Sequence, residues 1–280
     1  MVPPLSPTGI ARAFEAACRA ELSALKPGNV HIFAAGHGME VAQFEHAAAA
    51  AAPAVARAGL KVGARIEAAV QASLAAAGCN TDLGIILLCV PLAAAAEQGQ
   101  GDLQARLSAV LDTLDVADAQ AAFRAIVAAN PGGLGAVPDA DVRVSATITL
   151  KSAMAMAAGR DSISRQYVTA FEDIFSLGVP ALGDRPLACE RVEAAYLAFL
   201  ATFPDSHLVR KFGIATAEVV QAEAQGVRAQ VEGLDGGRRH DLLLAFDSRL
   251  KARGLNPGTT ADLTVASIFA ALLARPQDAD

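Results

Sequence analysis

Between Ile10 and Leu25 the apolar side chains of Ile10, Phe14, Ala17, Cys18, Leu22 and Leu25 recur every three or four positions, as one helical face turned to a core does. The same period runs through most of the chain. It predicts long Ala-rich helices over residues 40–57 and 62–77, a pair over 103–111 and 116–130, and further helices over 186–203 and from Asp205 toward Val231. A last helical pair flanks Asn256-Pro257-Gly258-Thr259-Thr260-Ala261-Asp262. Only residues 142–150, where Val144, Ala146 and Ile148 alternate, also read as a short strand. Without alternating strands and helices there is no basis for a dinucleotide fold, and the pattern predicts an all-α, compact multi-helix single domain over residues 1–280.

The pattern is most uneven at Gly78-Cys79-Asn80-Thr81-Asp82-Leu83-Gly84, where small and polar residues immediately precede the longest strongly apolar run. Asn80, Thr81 and Asp82 are expected at the start of a buried helix, with Thr81 or Asp82 capping it and the remaining groups free to reach a ligand at its positive end. The run that follows is too short to span a bilayer, carries Pro91 and ends at Glu97, so it reads as a core helix.

Glu21 lies on or beside the apolar stripe of the first helix and reads as a functional acid, because of the loop that follows it. In Lys26-Pro27-Gly28-Asn29-Val30-His31 and Gly36-His37-Gly38, proline stops the helix and the glycines permit sharp turns. Lys26, Asn29, His31 and His37 thus hang from a compact loop suited to phosphate or a cation. Asp161 or Ser162 is expected to cap a helix running through Phe171 to Leu177. Asp205 or Ser206 is expected to cap another, placing His207, Arg210 and Lys211 in its first turns. Cations there oppose the helix dipole, which points to a bound anion.

Composition narrows the chemistry. A formal charge of -6 over 280 residues provides no field for nucleic acid or anionic lipid, so a nucleic-acid or membrane partner is not expected. The four cysteines form no C-x-x-C pair and the first residues show no export pattern, which reads as a cytoplasmic protein with reduced thiols. A homodimer is compatible with the sequence. There is no Walker-type loop, zinc-protease histidine pair or serine elbow. Nucleotide phosphates would therefore be held by separate loops and helix starts. Mg2+ bridging oxygens of Glu21, Asp82 and Asp262 would relieve the repulsion between these acids and a triphosphate.

The ordered set of Glu21 with Lys26-Pro27-Gly28-Asn29-Val30-His31, Asn80-Thr81, Asp161, Pro204-Asp205-Ser206-His207 with Arg210-Lys211, and Asn256 to Asp262 resembles the triphosphoribosyl-dephospho-CoA synthase family, as a divergent member. The resemblance implies an all-helical enzyme that uses ATP as ribosyl donor, releases adenine and joins the triphosphoribosyl group to the 2'-hydroxyl of 3'-dephospho-CoA. By that likeness Lys26, Arg210 and Lys211 would hold triphosphate. Asp82 and Asp262 would carry Mg2+, and Glu21 or His207 would be the base. Asn29, His31, His37, Asn80, Thr81, Asp161 and Asp205 would contact substrate.

The chain departs from the family's form at Asp82-Leu83, where a basic pair is expected, and at Asn29-Val30-His31, in place of a Leu-Val-Asp pattern. Those departures leave the hydroxyl-bearing acceptor open to a second reading, a ribitol-bearing precursor of a methanopterin-like cofactor. A third reading is a non-catalytic nucleotide- or phosphate-binding helical protein.

Overall fold

The computed structural model describes residues 5–34, 38–99, 101–130 and 142–275. Along them the chain forms α1 (Pro7–Ser23), α2 (Val41–Val55), α3 (Val62–Ala77), α4 (Leu83–Ala96), α5 (Leu103–Asp112), α6 (Val116–Ala129), α7 (Leu150–Ala157) and α8 (Ser162–Thr169). A π-helical turn (Ile174–Gly178) leads into α9 (Val179–Leu182), α10 (Cys189–Thr202), α11 (Ser206–Phe212), α12 (Ile214–Val231), α13 (Gly236–Ala252) and α14 (Gly258–Leu273). The fold is all-α. Among the described residues there is no strand, and an isolated β-bridge joins His31 to Ala34.

Two helices sit at the centre because they are apolar on every side. In α4 the residues from Ile85 to Ala93 are all buried, and α14 buries Leu263 to Ala270 without a break. They pack on each other. Around them lie α1, α3, α5 and α8 on the α4 side and α1, α10 and α11 on the α14 side. A second apolar cluster, built from Leu25, Tyr196, Leu200, Phe246 and Leu250, joins α10, α12 and α13.

Three expectations from the sequence change. The alternation at Val144, Ala146 and Ile148 does not make a strand: the Ala146 N–H goes to the Gln120 side chain at 2.9 Å, and α7 follows, capped by Thr149. The helix expected through Phe171 to Leu177 is broken. Ala170 and Phe171 both take positive φ, 49° and 60°, held by the fully buried Phe171 ring and a bond from its N–H to the Gln166 carbonyl at 2.9 Å. The helix expected from Asp205 toward Val231 is divided by Gly213, whose φ of 84° ends α11 after seven residues.

Candidate active site

The start of α4 is built differently from the simple cap that its sequence suggests. Asp82 holds the N-cap position, its carbonyl accepting the Ile86 N–H at 2.8 Å, but its side chain makes no capping bond, and the Leu83 N–H is accepted instead by Asn80 Oδ1 at 3.3 Å. Gly84, the second residue of the helix, packs directly on the carboxylate of Asp262 from α14. The positive end of α4 thus faces an acid supplied by the protein itself.

This junction forms part of the wall of a cavity of about 820 Å³. Its polar lining includes Glu21, Asn29, Asn80, Thr81, Asp161, His207, Arg160, Arg210, Lys211, Asn256 and Asp262. Its apolar lining includes Phe44, Leu87, Phe123, Ile126, Met154 and Met156. Segments far apart in sequence, from α1 to α14, are brought to one enclosure.

Lys26 belongs to the support of this wall. Fully buried, it donates to the Glu21 carboxylate, to Asn29 Oδ1 at 3.0 Å and to the Val30 carbonyl at 2.7 Å. Its three N–H groups are spent, and it does not line the cavity, so the phosphate contact expected of it is not met by this geometry. Asn29 passes the network on, donating to Asn256 Oδ1 at 2.8 Å. Burial raises the Glu21 carboxyl above its usual range and lowers the Lys26 ammonium, each opposed by the charge of the other.

His31 is likewise structural. Its Nδ1 accepts the Phe33 N–H at 3.2 Å, which leaves the proton on Nε2, 3.2 Å from Asp247 Oδ1. Asp247 also accepts the Gly28 N–H at 2.8 Å and lies 3.1 Å from Lys251. Gly28 is required here, since at φ 83° a Cβ would meet the Leu255 carbonyl oxygen at 2.8 Å. His37, the other histidine expected in the loop, lies outside the described residues.

Asp205 is also withdrawn from the cavity. It caps α11 through the His207 and Leu208 N–H groups at 2.8 and 3.0 Å, and accepts the N–H and hydroxyl of Thr260 at 2.7 and 2.8 Å. Four hydrogen bonds occupy its carboxylate and tie α11 to the start of α14. His207 reaches the cavity against Gly258, where an added Cβ would stand 2.7 Å from its Nδ1.

Arg210 and Lys211 line the cavity, but the dipole argument for an anion beside them does not survive. Because α11 is short, both fall in its last turn, where cations suit the helix. Arg210 pairs with Asp161 Oδ2 at 2.8 Å while the other oxygen of Asp161 caps α8 through the Ser164 N–H.

The two acids expected to hold metal part company. Asp262 lines the cavity, and its carboxyl is pushed well above the usual range by burial and by the charges of Asp205, Glu21 and Asp82, with Arg210 opposing. Asp82 is buried behind the wall, with Ser73 Oγ 3.5 Å from its Oδ2. Burial pushes it up to about 7, against the hydroxyls of Thr81 and Ser73 and with the charge of Glu21. Among the described residues no three His, Cys, Asp or Glu side chains converge on a metal position.

The sequence matches the CitG family, ATP:dephospho-CoA triphosphoribosyl transferase, over residues 7–280. The chain belongs to that family. It is similar in structure to an Archaeoglobus fulgidus protein, known from its crystal structure and described as a candidate triphosphoribosyl-dephospho-CoA synthase. The TM-score is 0.66 at 26% identity, covering 82% of this chain and 99% of the other. No curated protein matches the sequence significantly. In this member of the CitG family, the residues that sequence reasoning missed are mainly the apolar lining and Asp247. Met154 and Met156 sit on α7, a helix the periodicity did not reveal, and Asp247 lies in the middle of a polar helix with nothing local to mark it. Asn256 was within reach, standing in the Asn-Pro-Gly turn. No described helix is long and apolar enough to cross a membrane.

Proposed function

We propose that this protein transfers the triphosphoribosyl group of ATP to the 2'-hydroxyl of 3'-dephospho-CoA, with release of adenine. The observation that carries the reading is the meeting, in one cavity of a CitG-family chain, of the carboxylates Glu21 and Asp262 with the cations Arg160, Arg210 and Lys211. Carboxylates can stabilise positive character on a ribose or accept a hydroxyl proton, and the cations match a triphosphate.

In this reading the acceptor oxygen bonds to the anomeric carbon as the bond from that carbon to the adenine nitrogen breaks. The bonding pair leaves with adenine, which takes up a proton. Glu21 accepts the proton of the attacking hydroxyl, with Lys26 fixing one of its oxygens, while His207 stands at the same wall as the second candidate. Arg210 and Lys211 hold the triphosphate, and Asn29, Asn80, Thr81 and Asp161 shape the pocket around the sugar and acceptor.

The donor set also fits Mg2+ held jointly by protein and substrate. Asp262 offers hard oxygen ligands at the cavity, a bound cation would hold its carboxyl ionised against the burial and neighbouring acids that favour the protonated form, and Mg2+ ordinarily takes one or two carboxylates together with substrate phosphates. Asp262 would hold the ion, since Asp82 does not reach the cavity wall. When bound, the ion neutralises triphosphate charge beside these acids.

The test is incubation with ATP, Mg2+ and 3'-dephospho-CoA, following adenine by chromatography and the product by mass. Acceptor-dependent adenine with a product gaining the triphosphoribosyl mass is expected. An ADP-linked phosphoryl product would instead make ATP a phosphate donor and overturn the reading.

A further inference from the structure

At the cavity wall the backbone of Gly84 leaves no room for a side chain beside the Asp262 carboxylate. A Cβ built on Gly84 would lie 2.1 Å from Asp262 Oδ2, 2.5 Å from its Cγ and 2.9 Å from Ile163 Cδ1. A Cβ and a carboxylate oxygen at 2.1 Å cannot coexist, and ordinary contact begins at 3.4 Å. Any side chain at this position must therefore drive the carboxylate away by roughly 1 Å or more, a displacement of the size that costs about a hundredfold in rate when it reaches a reacting group.

The two backbones that meet at this contact have little freedom to yield, so an added side chain must displace the carboxylate. Gly84 stands in the first turn of α4, fixed by the Leu83 N–H to Asn80 side-chain bond on one side and the Ile86 N–H to Asp82 carbonyl bond, 2.8 Å, on the other. Asp262 stands in the first turns of α14, which is fixed by the bonds from Thr260 to Asp205 and followed by buried Leu263, Thr264 and Val265. Two rigid helix starts thus abut through one glycine and one carboxylate.

We infer that Gly84 is a positioning residue: the absence of a side chain there seats the Asp262 carboxylate against the first turn of α4 and aims it into the cavity. This rests on the proposed role of Asp262. The glycine serves as a steric gauge, fitting an aspartate and excluding a longer acid. It also explains the polar-to-apolar break in the sequence in terms of geometry, because the smallest residue stands where two helices must meet through a charged group.

The experiment compares Gly84→Ala, Gly84→Ala with Ile163→Val, Asp262→Glu and Asp262→Asn. Adenine release, the ATP dissociation constant by calorimetry and the thermal midpoint are read for each. Gly84→Ala is expected to lower kcat by about a hundredfold or more with a thermal midpoint lowered by only a few degrees, because both atoms the new Cβ meets are ends of side chains that can swing aside while the helices stay in place. ATP affinity is expected to change by no more than about threefold.

Trimming Ile163 removes the contact with that side chain and leaves the one with Asp262, so the double variant should remain as slow as Gly84→Ala. Recovery to the parent rate would locate the damage at Ile163 and overturn the inference. Should Gly84→Ala fail to fold, Asp262→Glu decides: a longer acid has no room against Gly84 and should lose kcat as severely as Asp262→Asn, whereas a rate within threefold of the parent would overturn the gauge. If Asp262→Asn itself turns over normally, the role proposed for Asp262 fails, and the inference falls with it. A defect in Asp262→Asn with none in Gly84→Ala overturns the inference alone.

Discussion

The buried ammonium of Lys26 is hydrogen-bonded to the carboxylate of Glu21, five positions earlier in the chain, across the end of α1. A lysine that the sequence offers as a phosphate ligand is thereby the internal partner of the acid proposed as base. Lys26→Met should cost about 3–5 kcal/mol of stability, because it leaves a buried carboxylate without its counter-charge. Combining it with Glu21→Gln should recover part of that loss, as read by urea denaturation. Glu21→Gln alone should lower kcat by about 10²–10⁴-fold, beyond the stability lost by leaving the buried Lys26 ammonium without its counter-charge. A Glu21→Gln enzyme with normal turnover would transfer the base role to His207.

A separate prediction concerns Asp82. Its carboxyl titrates near 3.9 in an unfolded chain and at about 7 in the folded one, so between those values the folded state holds the additional proton. Its contribution to stability is full below about pH 4 and is lost as the pH rises to 7, a change on the order of 4 kcal/mol. Asp82→Asn should remove that loss. Its thermal midpoint should exceed the parent's by several degrees at pH 8 and approach it near pH 4. Turnover should survive, because Asp82 lies behind the cavity wall. A collapse in turnover at saturating Mg2+ would restore Asp82 to the metal site.

Much of this architecture is legible in the sequence, and the exceptions have physical causes. The helical period gives α3 its full extent, and the length of the apolar run ending at Glu97 gives α4 its own, because each is regular and bounded by glycine or polar residues. It overruns at Phe171 and Gly213, where a buried ring and a left-handed glycine override local propensity. At the site, sequence reasoning identifies the loops that enclose the cavity, but not which of their polar groups face inward. Lys26, His31 and Asp205 look like ligand contacts along the chain. Their partners, Val30, Asp247 and Thr260, are set by turns and by long-range packing that no local pattern encodes.

Lys211 and Arg210 provide a contrast at the cavity rim. Lys211 is exposed with no internal ion pair among the described contacts, whereas Arg210 also holds Asp161. Lys211→Ala should raise the KM for ATP by roughly 10- to 100-fold, the loss of one charge-assisted contact, with little change in the thermal midpoint. Arg210→Ala should raise KM similarly and lower stability as well, because it releases Asp161 beside the α8 cap. The effect of Lys211→Ala should shrink at high salt, as screening weakens the interaction in the parent. An unchanged KM in both variants would place the triphosphate elsewhere in the cavity.

The acceptor can be tested through the same wall. Leu83 faces the cavity and Asp82 is buried behind it, so the two positions where the family resemblance leads one to expect a basic pair supply an apolar surface and a hidden acid. Neither adds positive charge toward the acceptor. ATP binding, assigned to Arg210 and Lys211, does not depend on them. We therefore expect 3'-dephospho-CoA to be used, with its affinity sensitive to charge introduced at Leu83. Leu83→Lys should lower the KM for 3'-dephospho-CoA by several-fold, leaving the KM for ATP nearly unchanged, since one charge-assisted contact to a phosphate contributes about 1.5–3 kcal/mol before the cost of ordering the side chain. The measurement offers 3'-dephospho-CoA and a ribitol-bearing pterin precursor separately, each with ATP and Mg2+, to the parent and to Leu83→Lys. Adenine release from the parent only with the ribitol compound would redirect the assignment to that acceptor, because a pocket built around one set of hydroxyls can reject a close analogue by large factors.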